Sequence, residues 1–212
     1  MKTSDLIRAL AADNDVRAMP PGRALALALI PCAAIALSLH LAILGLRPHL
    51  LSLLADPRLL FKIGFTLLLA ALSGRIVLPL AKPGSGARRC ALDLAIVPVL
   101  LGAAIAAELI VVPPALWGQR LIGSNAVFCL VSIPFLAALP LAGILFALRH
   151  GAPGQPAVAG AAAGLFAGAI GAACYATHCP DDSPLFVAAW YTLAIGIVTA
   201  AGAIAGKRLL RW

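Results

Sequence analysis

Residues 24–46 read ALALALIPCAAIALSLHLAILGL, without one Asp, Glu, Lys or Arg. As a helix rising about 1.5 Å per residue, the run is about 35 Å long and can cross a hydrocarbon core about 30 Å thick. Working outward, five further stretches have this character: Leu59–Leu80, Cys90–Val112, Asn125–Leu148, Ala157–Thr177 and Pro184–Gly206. The connections between them, Arg47–Arg58, Ala81–Arg89, Pro113–Ser124, Arg149–Pro156 and His178–Asp182, are short and rich in Gly and Pro. Neighbouring helices must therefore run antiparallel. The expected fold is all-α, a polytopic transmembrane bundle of six helices.

Composition agrees. Of 212 residues, 62% are hydrophobic and 11% charged, and the mean hydropathy is +1.02. An ordinary soluble domain is about 25% charged, so too few polar side chains remain here to cover a water-facing surface. The net charge of +8 would suggest nucleic acid in a soluble protein. Here the charges sit in short loops and at the ends, where they set orientation and touch anionic lipid; no direct nucleic-acid contact is expected. On one side fall Lys2, Arg8, Arg17, Arg23, Lys82, Arg88, Arg89, Arg149, Lys207, Arg208 and Arg211; on the other, only Arg47, Arg58 and Arg120. The heavier side is cytoplasmic by the positive-inside rule, which puts both termini in the cytoplasm. The expected parts are a cytoplasmic segment 1–23, a six-helix membrane domain 24–206 and a cytoplasmic tail 207–212. The first apolar run follows a polar start with Asp5, Asp13 and Asp15 and is too long for a signal-peptide core, so no removable leader is expected.

Segment 1–23 is the one cytoplasmic stretch long enough for an independent contact. Thr3 or Ser4 can cap a helix that has Asp5 in its first turn, and Leu6, Ile7 and Leu10 then share a face. Asp13-Asn14-Asp15 weakens that helix, and Pro20-Pro21-Gly22 ends any continuation. A helix this short becomes ordered by laying its stripe into a partner's groove, or by resting on the bilayer.

Gly160, Gly164 and Gly168 recur every four residues, with Gly171 beside them, and Gly202 and Gly206 repeat the spacing. Small residues let helix backbones approach in lipid, either between spans five and six or across a homodimer. Pro31, Pro98, Pro134 and Pro140 fall inside spans and predict kinks.

Topology sorts the cysteines. Cys179 lies in the outer loop, Cys129 and Cys174 lie about one turn inside outer helix ends, Cys32 is near mid-span and Cys90 starts the third span. Two outer thiols can form a reversible disulfide if their Cα atoms come within about 7 Å. His178, Asp181 and Asp182 beside Cys179 offer mixed soft and hard ligands to a metal ion. Against this stands plain packing for the cysteines and solvation for the aspartates. Arg75 and Asp93 are expected to pair near the cytoplasmic side, and Lys62 and Glu108 near the outer side. There is no G-x-S-x-G, no H-E-x-x-H and no phosphate-binding loop, and neither Ser124 nor Cys179 has a recognisable triad, so an enzyme is not expected.

The opening Met-Lys-Thr-Ser-Asp-Leu-Ile-Arg-Ala-Leu-Ala-Ala-Asp resembles the start of the NrsF-like proteins, negative regulators of an extracytoplasmic-function sigma factor F. Leu148-Arg149-His150-Gly151-Ala152-Pro153, Ala159-Gly160-Ala161 with Gly164, Tyr175 to Pro184, Trp190-Tyr191 and Leu209-Leu210-Arg211-Trp212 are similar too, so the likeness covers the whole chain. The resemblance implies a six-span inner-membrane anti-sigma factor whose N-terminal segment, through Asp5, Leu6, Ile7 and Leu10, withholds the sigma factor from RNA polymerase. It implies that the outward cysteines report oxidative or heavy-metal stress, and these map onto Cys129 and Cys179. No resident cofactor is then required, only a transient heavy-metal ion at Cys129 and Cys179. A competing class is a small ion or metal transporter or channel, with Asp93, Glu108 and His178 along its path.

Overall fold

A computed structural model describes residues 3–12, 19–53, 55–82, 90 and 92–211. Lys2, Arg17, Arg88, Arg89, the Asp13-Asn14-Asp15 run, the Leu10 side chain and Trp212, all invoked above, lie outside the described residues. Every ordered element among those residues is helical. The main helices are α1 (Thr3–Ala12), α2 (Pro21–Leu39), α3 (Pro57–Leu80), α4 (Ile96–Val111), α5 (Ala126–Leu148), α6 (Pro156–Ala176) and α7 (Thr192–Leu209). Two π-helical turns prolong them: His40–Leu44 continues α2, and Val187–Tyr191 joins the turn Pro184–Phe186 to α7. Short pieces at Leu50–Leu53 and from Pro114 to Ile122 lie in connections.

The starts follow from local chemistry. Pro21, Pro57, Pro156 and Pro184 each stand at a helix N-terminus, where a missing amide costs nothing and the fixed φ is already helical. Asp56 caps α3 by accepting from the Arg58 amide at 2.8 Å, and Ser183 caps the turn after it by accepting from the Leu185 amide at 3.3 Å.

Five stretches are long and apolar enough to cross a membrane: Pro21–Leu44, Pro57–Leu80, one within Pro114–Leu148, Pro156–Ala176 and Pro184–Leu209. They mark a membrane protein. The stretch expected as the third span, Cys90–Val112, is ordered chiefly as the 16-residue α4. At about 24 Å it falls short of the hydrocarbon thickness by itself. Its start is set by Pro98: a proline is tolerated in the first turn of a helix but breaks its interior, and a turn at Leu94–Ala95 precedes Ile96.

Packing centres on α6, which lies against α7, α5 and α3, while α2 leans on α5. Alanine and glycine make up nearly all of its buried side. A Cβ at Gly160 would strike the backbone of Gly202 and Gly206; one at Gly164 would reach the Val198 carbonyl at 2.5 Å; one at Gly206 would reach Gly160 Cα at 2.6 Å. Gly168 faces Ile195, and Gly202 faces Gly160 and Gly164. All five glycines thus lie between α6 and α7. With no water to drive association in lipid, this backbone approach maximises dispersion contact. By contrast α4 is peripheral. Only Val97 and Glu108 are buried on it, and Ile110 is 85% exposed, as a lipid-facing residue would be.

The buried residues form two clusters. One surrounds Cys129, Tyr175, Cys179 and Tyr191; the other joins Ala24, Val77, Ala81, Leu148, Ala159 and Leu210 near the ends of the chain. These are termed below the cysteine end and the terminal end.

Candidate functional site

At the cysteine end the connection Thr177–Ser183 is held from several helices. Lys62, in the second turn of α3, is completely buried. Its ammonium group donates to the carbonyls of Cys179 (2.7 Å) and Asp181 (3.3 Å) and to Asp182 Oδ1 (2.5 Å). All three N–H donors of the lysine are used, which is what makes a buried ammonium tolerable. Asp182 Oδ2 accepts from Arg47 Nη1 at 2.7 Å, so one carboxylate joins two cations. Asp181 Oδ2 accepts from the amides of Ser124 (3.0 Å) and Asn125 (2.9 Å), capping the start of α5 from a distant part of the chain. Gly123 makes the close approach feasible: it has φ +60°, and a Cβ there would meet Phe186 at 2.5 Å and Asp181 Cγ at 2.9 Å.

Both aspartates are therefore engaged within the protein rather than simply solvated. His178 is also engaged, its Nδ1 lying 3.2 Å from the Gly45 carbonyl. Among the described residues no group of three or more His, Cys, Asp and Glu side chains is arranged to hold a metal ion. The expected pairing of Lys62 with Glu108 is replaced by two separate pairings. Glu108 takes Arg58 at 2.9 Å and Ser183 at 3.2 Å, with Arg120 at 3.7 Å, because the connection supplies Lys62 with its own carboxylate in Asp182. At the terminal end Arg75 and Asp93 do pair, at 3.4 Å and largely in the open.

Cys129 and Cys179 are both fully buried, both free thiols, and belong to one cluster. A charge on either would be felt by the other and by Tyr175 and Tyr191, which are also fully buried. The two phenolic hydroxyls have no oxygen or nitrogen partner among the described residues and both lie against the Cys179 thiol. Cys174 packs at the edge of the same cluster. Burial pushes the Cys179 thiol above its ordinary range, and the Lys62 charge offsets only part of this. The resting thiol is accordingly protonated and a weak nucleophile. A cleft of about 470 Å³ between Leu116–Ser124 and Pro180–Ser183 opens over this connection, giving a small solute a path to it.

His40 completes the site. Thr177 Oγ1 gives its proton to the Cys174 carbonyl at 2.8 Å, so His40 must donate to Thr177 from Nε2 at 3.0 Å. His40 Nδ1 is then a buried acceptor without a partner among the described residues. His40 opens one π-turn and Tyr191 closes the other. Such single π-turns cost hydrogen-bond geometry and recur where side chains must be re-aimed. Sequence reasoning gave no role to His40, Tyr175 or Tyr191 and assigned Lys62 the wrong partner. The available signal was the coincidence of a charge inside a span with paired acids at the same depth.

At the other end of the chain, Asp5, Leu6 and Ile7 of α1 are exposed, Leu6 by 45% and Ile7 by 62%.

Residues 10–212 match the family described as negative regulator of sigma F. The chain is 38% identical over 214 residues to the probable anti-sigma-F factor NrsF of Azospira oryzae. It is 37% identical over 217 residues to the anti-sigma-F factor NrsF of Caulobacter vibrioides, and both matches cover 100% of each chain. No solved structure matches it.

Proposed function

The chain belongs to the NrsF family of negative regulators of sigma F, and on that premise we propose that it is a membrane-embedded anti-sigma factor rather than an enzyme. In this reading it crosses the bacterial inner membrane six times, α4 and the residues before it supplying the third crossing. Both termini are cytoplasmic. Segment 1–23 holds an extracytoplasmic-function sigma factor through Asp5, Leu6, Ile7 and Leu10, residues 24–206 form the membrane domain, and 207–212 are a tail. The exposed apolar pair Leu6 and Ile7 supports this use of α1, since an amphipathic helix in water gains most when a partner groove covers its stripe.

The observation that carries the sensing half is the burial of Cys129 and Cys179 in one cluster beneath a connection clamped by Lys62. Oxidation would join the two sulfurs, sending two electrons to the oxidant and two protons to water. A soft metal ion would instead replace both thiol protons with metal–sulfur bonds. The remaining candidate ligands are already engaged, which favours a thiophilic cation taking two sulfurs over a hard ion seeking carboxylates. Either event disturbs the connection that Lys62 holds.

The proposed route to the other face is α3. From Lys62 to Ala81 it spans about 28 Å. There the Ala81 carbonyl accepts from the Ala152 amide at 2.9 Å, and Leu78 lies against Gly22, at the base of the N-terminal segment. Tenfold release of a partner needs about 1.4 kcal/mol of bias between two states. Breaking a buried ion pair costs about 3–5 kcal/mol, so loss of the Lys62–Asp182 contact is large enough to supply it.

Two experiments test the halves separately. A sigma factor should co-purify with the full chain and be lost on removal of residues 1–23 or in Leu10→Asp; capture unaffected by either change would refute the N-terminal reading. The double variant Cys129→Ser, Cys179→Ser should bind sigma yet fail to release it under metal or oxidant. Induction of a sigma-dependent promoter equal to that of the unaltered chain would refute the sensor. The transporter reading loses support because Glu108 is buried and held by Arg58.

A further inference from the structure

Two apolar grooves run along opposite flanks of α5 at the terminal end, with Ala142 and Phe146 as their shared wall. The wider, about 650 Å³, lies between α5 and α2 and reaches from Cys32 to His150 at its mouth. The narrower, about 410 Å³, lies between α5 and the last turn of α7, with Arg149 at its mouth. The mouths are thus adjacent residues just beyond the end of α5. Arg149 is exposed and has no ion-pair partner among the described residues. His150 donates from Nδ1 to the Phe146 carbonyl at 3.1 Å and stacks edge-on against the Phe146 ring, which fixes its place between the grooves.

We propose that this ridge binds one diacyl anionic phospholipid, a tail in each groove astride Phe146 and the phosphate on Arg149. Three features favour that ligand. The grooves are almost wholly apolar and open sideways, where acyl chains lie if the bundle sits in a membrane, the reading on which the proposal rests. Their mouths converge on one point, which suits a headgroup carrying two tails. The group at that point is a guanidinium, whose planar fork matches phosphate oxygens. The α5 carbonyl end repels a phosphate, but the first turn of α2, which lines the wider groove at Ala24, presents the opposite pole. The two backbone effects oppose each other and Arg149 decides the selectivity. A zwitterionic lipid brings its own cation to the arginine and gains less. Because the wider groove ends beside the first turn of α2, an occupant there also fixes the base of the N-terminal segment.

The test uses the full chain purified in neutral detergent, with phosphatidylglycerol and phosphatidylcholine of identical acyl chains added in equal amounts and retention read by native mass spectrometry. Phosphatidylglycerol should be retained about fivefold more, the effect of one well-placed basic residue. Arg149→Gln, at an exposed position that leaves folding intact, should abolish the preference. Arg208→Gln, equally basic and at the same end, should keep it. Ala142→Trp, which fills the shared wall, should lower retention of both lipids, and inorganic phosphate should give no thermal shift. Equal retention by the unaltered chain, a preference surviving Arg149→Gln, an equal loss in Arg208→Gln, undiminished retention in Ala142→Trp, or stabilisation by free phosphate would each overturn the site.

Discussion

At the cysteine end, helices are tied through side-chain charge: a buried lysine spends all its donors on one connection, and a carboxylate on that connection caps α5. At the terminal end, α6 and α7 are tied through backbone contact, with glycine against glycine and almost no polar group involved. The contrast is between an interaction that chemistry can switch and one that it cannot. Buried ion pairs are high-stakes because each partner alone is worse than neither. Dispersion contact between glycine faces has no such alternative state to fall into. Under the proposed function, a protein that responds at one end and stays assembled at the other is served by this division.

The comparison is broken most severely by Lys62→Met. It leaves Asp182 with Arg47 alone and two carbonyls unpaired, and should cost about 3–5 kcal/mol of stability. The check is thermal unfolding in detergent together with alkylation of Cys129 and Cys179, which should become fast. If the cysteines stay protected, the clamp does not hold the site closed.

Next in size is Gly160→Val, which drives a side chain into the backbone of Gly202 and should cost about 1–3 kcal/mol. It sharpens the contrast because the damage is confined to the terminal end. Cysteine alkylation should remain slow while the unfolding temperature falls.

A third probe is pH. The Cys179 pKa is raised in the folded chain by burial, so the folded form holds its proton more tightly than the unfolded one. The stability this contributes is fully present below the ordinary thiol pKa and is lost as pH rises through the higher folded value. In Cys129→Ser, Cys174→Ser, the midpoint of the rise in Cys179 labelling rate with pH should lie above pH 9.0, the ordinary reference value. A midpoint at or below that pH would contradict the burial argument. The smallest effect is expected from Arg75→Gln. Its pair with Asp93 is 62% and 48% exposed, and removing it should change stability by less than about 1 kcal/mol. A larger loss would mean that charge pairs matter at the terminal end as well.

Much of this was legible in the sequence. Apolar runs such as 24–46 required helices in lipid because nothing else satisfies a backbone there. The Gly160–Gly164–Gly168 and Gly202–Gly206 spacings placed small residues on one face of a regular helix. A short helix through Leu6 and Ile7 and the Arg75–Asp93 pair were likewise readable, since both depend on near neighbours or on one hairpin. The family resemblance implied Cys129 and Cys179 as a pair, and the two lie in one buried cluster.

What the sequence determined by itself was the all-helical fold and the long apolar stretches, because hydropathy and a rise of about 1.5 Å per residue are local properties. Tertiary structure alone decided who meets whom across the bundle. It gave Lys62 to Cys179, Asp181 and Asp182 rather than to Glu108, turned Asp181 into the cap of α5, and closed the glycine faces of α6 and α7 on each other. It also broke the third apolar stretch with a turn at Leu94–Ala95 ahead of α4. Partner choice at equal depth depends on helix rotation and neighbour order. Those are set by the packing of all the helices together, and no single stretch of sequence contains them.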